Sequence, residues 1–99
     1  MKKSSSQHKR VITNRLWRYR KMQQLSQQQM AFLLGHRKAS QVSRWENGDK
    51  IPTLGNALML GHILKAPVEA LFADLAAKVN ERVEARQADW PEFVRGSDT

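Results

Sequence analysis

The sequence predicts an all-α protein, and three observations carry that prediction. Apolar residues recur at helical spacing along most of the chain, and no stretch shows a convincing period-two alternation of a half-buried strand. Helix-starting patterns precede two of these runs at Ser26 and Thr53, and helix-ending glycines stand at Gly35 and Gly48. The length of 99 residues suits one domain with one compact core and excludes a large multi-site enzyme.

The first predicted elements follow in order from a basic amino terminus. Residues 1–9 are rich in Ser, Lys and Gln without apolar periodicity, which predicts a disordered basic tail. Helix 1 is expected over about residues 10–22, with apolar side chains on one stripe. Ser26 and Gln29 have the spacing of a capping box, so helix 2 should open at Ser26 and stop near Gly35.

The remaining elements alternate with clear turn signals. A short helix 3 is expected over residues 40–47, and Thr53 is the expected N-cap of helix 4. Pro67 suits the first turn of helix 5. The apolar stripe then continues through Val83, further than five packed helices need. Residues 75–99 are therefore expected to extend the last helix, which either packs back on the bundle or forms a dimer interface.

Charge is unevenly distributed along the chain, whose net charge is +8. Residues 1–52 contain 12 Lys and Arg against 2 acids, whereas residues 53–99 contain 5 against 7. A basic half joined to a near-neutral half predicts one surface for a polyanion and another for a different partner. The chain has no cysteine, no apolar run of about 18 residues and no apolar stretch after its basic start. We therefore expect a cytoplasmic protein without a membrane segment.

The segment 40–47 carries the functional prediction. Val42 and Trp45 lie three residues apart, so both can face a core from one edge of a short helix. The polar residues of this segment are then free to hydrogen-bond elsewhere: Ser40, Gln41, Ser43 and Arg44. A short helix with one buried edge and one polar, basic edge suits the major groove of DNA.

These elements, in this order and spacing, resemble the Cro/C1-type helix-turn-helix family of phage repressors and their bacterial relatives. The matching elements are Arg20, Leu25-Ser26-Gln27, Met30-Ala31, Leu34-Gly35, Val42 to Gly48, Pro52 and Leu71-Phe72. The resemblance implies a lambda-repressor-like bundle of five helices in which helix 3 enters the major groove. Residues 10–74 would form this DNA-binding domain, and residues 75–99 would be a C-terminal helix extension used for dimerisation.

The resemblance also implies which side chains contact DNA. The expected set is Gln27, Gln28, Arg37, Lys38, Ala39, Ser40, Gln41, Ser43, Arg44, Asn47 and Lys50. Arg44 is the best candidate for a base contact, because arginine can bridge O6 and N7 of guanine, and a phosphate contact is the alternative. In the family, the pair matching Arg20 and Glu46 forms an ion pair between helices 1 and 3. The turn between helices 2 and 3 is one residue longer than its commonest form, which leaves the groove-facing register open by one position.

Three functions remain open on these observations. The leading hypothesis is a transcriptional regulator, a repressor that binds a palindromic operator as a homodimer. The alternative is an antitoxin that binds a toxin protein as well as its own promoter. A third is a general nucleic-acid helper that uses the basic tail and helix 1. The partner is double-stranded DNA for the first hypothesis, DNA and a toxin protein for the second, and DNA or RNA of any sequence for the third.

Other chemical signals are weak. No reactive pair of side chains is visible, so an enzyme is not expected. The histidines His8, His36 and His62 lack metal-ligand spacing, so we expect neither a metal nor another cofactor, and His36 should be a solvated turn residue. Trp17 and Tyr19 could stack on single-stranded bases, but their helical spacing favours core or interface positions.

Overall fold

The structure is a computed structural model that describes residues 14–91, and this part of the chain is helical, without strands. The described helices are α1 (Leu16–Met22), α2 (Gln27–Leu33), α3 (Ser40–Glu46), α4 (Leu54–Leu64), α5 (Val68–Leu71) and α6 (Ala73–Ala88). The predicted all-α fold class is confirmed. The predicted tail over residues 1–9 and the last residues of the extension lie outside the described residues. Helix 1 was expected to run from about Arg10, but Asn14 and Arg15 are not helical and α1 begins at Leu16, so its predicted start is wrong.

The helix boundaries follow from local capping. The Ser26 hydroxyl accepts a hydrogen bond from the backbone N–H of Gln29 at 2.9 Å, and the Gln29 side chain accepts one from the Ser26 N–H at 2.8 Å. This is the predicted capping box at the start of α2. Thr53 likewise caps α4 through the N–H of Asn56. Gly35 follows α2 with φ +85°, in the left-handed region that favours glycine.

The core is formed by the first five helices, and each of α1, α2, α3, α4 and α5 contributes at least one buried side chain to it. Its buried members are Leu16, Met30, Ala31, Leu34, Val42, Trp45, Leu60, Leu64, Leu71 and Phe72. The short α3 buries the two residues expected from its spacing, Val42 and Trp45. Its inner edge was therefore predicted correctly.

The C-terminal stripe differs from the expected single helix. The backbone leaves helical geometry at Phe72, with φ −121° and ψ 52°, and this break separates α5 from α6. The Phe72 side chain is buried in the core, so packing of this ring takes precedence over continuation of the helix. Pro67 stands just before α5 as its N-cap, not within the first turn.

Helix α6 has no buried residue, in contrast to the helices before it.

No helix within residues 14–91 combines the length and the apolar composition needed to cross a membrane.

Candidate nucleic-acid interface

Helices α2 and α3 are held together by small and apolar side chains. Ala31 of α2 is fully buried, as expected where two helices approach closely, and it joins Val42 and Trp45 of α3 in the core. The Ala31 carbonyl also accepts a hydrogen bond from the N–H of His36 at 2.9 Å, which fixes the start of the turn. The outward side of α3 is therefore presented on a rigid support.

The polar residues of α3 lie opposite its buried edge. Ser40, Arg44 and Asn47 are exposed, and Ser43 beside them is half-buried. These positions are three and four residues apart, so they form one stripe along the helix and its C-cap. Ala39 is the N-cap residue of α3 and is half-buried.

Gln41 occupies the flank of α3 instead of this stripe. It lines a cleft between α3 and the start of α4, together with Trp45, Lys50 and Asn56. The structure thus separates the stripe of Ser40, Ser43, Arg44 and Asn47 from Gln41, which lies at the edge of α3 that faces α4.

Two glutamines at the start of α2 contact neighbouring parts of the motif. The Gln27 side-chain amide donates to Oε1 of Glu46 at 3.0 Å, and the Gln28 amide donates to the Arg37 carbonyl at 3.2 Å. Both side chains were expected to face a DNA strand. In the structure they also connect the beginning of α2 to α3 and to the turn before it.

An ion pair joins α1 to the end of α3. The Arg20 guanidinium contacts the Glu46 carboxylate through Nε to Oε2 and through Nη2 to Oε1, the latter at 3.0 Å. Its Nη1 donates to the Leu25 carbonyl at 2.9 Å. The two side chains are only 6% and 4% exposed. Since both charges are buried and satisfied by one another, this pair holds α3 in one orientation against α1 and the start of α2.

Asn14 is a positioning residue that sequence analysis did not identify. Its amide nitrogen donates to the Trp45 carbonyl at 2.7 Å, and its oxygen accepts from the Leu16 N–H at 3.0 Å. It was placed inside a helix expected from Arg10. An asparagine two residues before the first buried apolar residue is itself a helix-start signal, and it could have indicated the start of α1.

His36 is not the solvated turn residue that its sequence position suggested. Its ring is half-buried and packs edge-on against Trp45, with centroids 5.9 Å apart and an interplanar angle of 62°. Its Nδ1 is buried and has no hydrogen-bond partner among the described residues. His36 therefore supports the inner edge of α3.

The stripe of α3 and the chain segments next to it carry four exposed cations. They are Arg44 in the stripe, Arg37 and Lys38 before α3, and Lys50 after it. Within the described residues none of them forms a salt bridge, and the buried carboxylate of Glu46 is engaged by Arg20. Asp49 is the other acid of this region and is exposed. The surface therefore has the charge that a polyanion requires.

Comparison with known proteins agrees with this geometry. A family model described as helix-turn-helix matches residues 18–71, which is more than half of the chain. The matched range begins within α1 and ends with α5, so α6 lies outside it. No curated protein matches the chain.

Proposed function

The chain belongs to the Cro/C1-type helix-turn-helix family of DNA-binding transcriptional regulators, and we propose that it is a cytoplasmic repressor that binds a palindromic operator as a homodimer. The observation that carries this proposal is the polar, basic stripe of α3, held in place by the buried pair of Arg20 and Glu46. A rigid helix that exposes hydrogen-bonding side chains beside unpaired cations is suited to read base edges in the major groove.

The proposed contacts fall into two groups. Base contacts are assigned to the side chains on or beside α3, with Arg44 at the centre and Ala39, Ser40, Gln41 and Ser43 around it. Phosphate contacts are assigned to the surrounding residues, which are Gln27, Gln28, Arg37, Lys38, Asn47 and Lys50. Phosphate contacts fix the position of the protein on the duplex, and base contacts supply the sequence preference.

The homodimer is proposed from the properties of α6. Val79 is 46% exposed and Val83 is 51% exposed, one helical turn apart on the same side. None of the 16 residues of α6 is buried, and its contact with the core is made near its start by the partly buried Leu75. The part of α6 that contains Val79 and Val83 therefore gains little stability from packing on its own chain. A second copy of α6 would cover this apolar side. Two copies would then place two recognition helices on half-sites about one helical turn of DNA apart. Residues 75–99 are accordingly the proposed dimerisation segment, beside a DNA-binding domain over residues 10–74.

The proposal is tested by fluorescence anisotropy with the duplex upstream of the protein's own gene and a scrambled duplex, over a salt series. We expect a preference of about 10³-fold or more for the native duplex. Arg44→Ala should weaken only the native complex, by about 1–3 kcal/mol, because one base contact is lost. Lys65→Ala is the control, since it removes a positive charge from an exposed position outside both the proposed DNA contacts and the proposed dimerisation segment. Equal affinity of the unaltered protein for both duplexes would contradict sequence-specific regulation.

A second candidate function is an antitoxin that binds a toxin protein as well as DNA. The observation that favours it is a second apolar surface on α4, where Leu54 and Leu58 are exposed one turn apart, with the exposed Ile51 before them. A toxin could cover this surface while α6 forms the dimer. Co-expression with the neighbouring gene distinguishes the two functions. A stable complex that Leu58→Glu disrupts would support the antitoxin, and a homodimer that purifies alone would support the repressor.

A further inference from the structure

Trp17 is an exposed aromatic residue on α1 that the proposed repressor function does not use. Its side chain is 57% exposed, although its helical spacing had favoured a core or interface position. Tyr19 is the residue that packs against the core instead. The Lys21 ammonium lies 5.7 Å from the centroid of the Trp17 ring. This cation–π contact between residues four apart holds the ring near one orientation at the protein surface.

Trp17 has two exposed cations near it on α1. Lys21, four residues on, lies on the same side of the helix, and Arg18, the next residue, lies about a quarter turn away. No salt bridge engages either cation within the described part of the chain. Arg15 is also exposed, but residues two apart on a helix do not face each other, so Arg15 is not part of this site. Trp17, Arg18 and Lys21 are named here the α1 outer surface.

We propose that the α1 outer surface is a second nucleic-acid site, which binds single-stranded DNA or RNA. One unpaired base would stack on Trp17, and the adjacent phosphates would contact Arg18 and Lys21. Aromatic side chains within a positively charged surface are the pattern by which proteins hold single strands without sequence preference. Because the ring is already positioned by Lys21, less conformational entropy is lost when a base binds.

A single strand fits this surface better than a duplex does. The faces of paired bases are stacked on one another, so a flat, exposed indole has no ring to stack on in an intact duplex. Duplex recognition is assigned to α3, whose exposed residues hydrogen-bond to base edges. The two sites are therefore separable by substitution, and failure of one proposal leaves the other open to its own test.

The test uses the full-length protein and a fluorescently labelled oligothymidine, which forms no duplex, at low salt. We expect the unaltered protein to bind it and Trp17→Ala to weaken binding at least about fivefold, the lower end of what one stacked base contributes. Trp17→Tyr should retain most of the affinity because an aromatic face remains. Lys21→Ala should lower the dependence on salt, since one phosphate contact is lost. A matching oligouridine should behave in the same way.

Two control variants make the outcome decisive. Trp90→Ala removes another exposed tryptophan, which lies beyond the end of α6. Its affinity for oligothymidine should stay within twofold of that of the unaltered protein, which corresponds to a change in binding free energy of about 0.4 kcal/mol or less. Arg44→Ala should weaken the native duplex and leave the single strand bound. The proposal is overturned if oligothymidine does not bind, if Trp17→Ala and Trp90→Ala have equal effects, or if Arg44→Ala abolishes both activities together.

Discussion

The bundle of α1 to α5 and the helix α6 differ in how they are stabilised. Each helix of the bundle places at least one side chain in a common buried core, and the bundle adds a buried ion pair between Arg20 and Glu46. Helix α6 is the longest described helix, and none of its residues is buried. Its apolar residues Val79 and Val83 are about half-exposed. The bundle therefore contains most of the contacts that specify its own fold, whereas α6 contributes to the core through the partly buried Leu75 near its start.

The difference extends to charge and to family membership. The helix-turn-helix match covers residues 18–71 and stops where the bundle stops. Residues 16–71, which span the bundle, contain 8 Lys and Arg against 3 acids, whereas α6 contains 3 of each. This division agrees with the proposals that the bundle binds DNA and that α6 binds a second copy of the chain. The following substitutions test the division, beginning with the largest expected effect.

Removing the Arg20 guanidinium should cause the largest loss of stability. Arg20→Ala leaves the Glu46 carboxylate buried without its partner, so the free energy of unfolding should fall by about 3–5 kcal/mol. Urea denaturation followed by circular dichroism measures this loss. The double substitution Arg20→Met with Glu46→Leu should recover much of it, because no unpaired charge remains. Equal stability of Arg20→Ala and an exposed control, Arg82→Ala on α6, would show that the pair is not buried in solution.

Truncation of apolar side chains compares the two regions directly. Leu60 is fully buried in the bundle, so Leu60→Ala should lower the free energy of unfolding by about 2–5 kcal/mol. Val79→Ala should change it by less than about 0.5 kcal/mol at protein concentrations where the chain is monomeric. Denaturant unfolding at low concentration measures both. A loss above 2 kcal/mol for Val79→Ala would mean that α6 packs on its own chain.

A charge on the apolar side of α6 should abolish self-association. Val79→Glu would bury a carboxylate in the proposed dimer interface, which is unfavourable without a partner. Affinity for the duplex upstream of the protein's own gene should fall by about 10²-fold or more, because the two half-sites are no longer bound together. Analytical ultracentrifugation and anisotropy measure the two effects. Ala77→Glu adds the same charge on the opposite side of α6 and should change neither property. A Val79→Glu protein that remains dimeric would place the interface elsewhere.

The smallest expected effect is a gain in stability at the end of α4. Lys65 ends this helix with φ 56° and ψ 44°, in the left-handed region that is unfavourable for residues with a Cβ atom. Lys65→Gly should therefore raise the free energy of unfolding by about 0.5–1 kcal/mol. The midpoint of thermal unfolding detects such a change. A lower midpoint would mean that the Lys65 side chain stabilises the fold by more than its left-handed backbone conformation destabilises it.

Several elements could be predicted because their causes are local. The capping box of Ser26 and Gln29 depends on two side chains three residues apart, and the structure contains both of its hydrogen bonds. The buried edge of α3 follows from the spacing of Val42 and Trp45. These patterns determine where a helix begins and which side it buries, whatever the rest of the fold is.

Other features were missed because their causes are distant in sequence. Asn14 acts through the Trp45 carbonyl, 31 residues away, and His36 packs against the Trp45 ring. The break at Phe72 follows from burial of that ring in the core. Helical spacing alone shows neither the break nor the exposure of Trp17, since a core position and a surface position can share one period.

The sequence by itself determined the helical class, the starts of α2 and α4 and the polar side of α3, because propensity, capping and spacing act over a few residues. Only the tertiary structure decided the exact orientation of α3, the separation of α5 from α6 and the exposure of Trp17. These depend on long-range contacts, such as those of Arg20 with Leu25 and Glu46. Local forces select the elements, and burial in a shared core selects which of their surfaces remain available for binding.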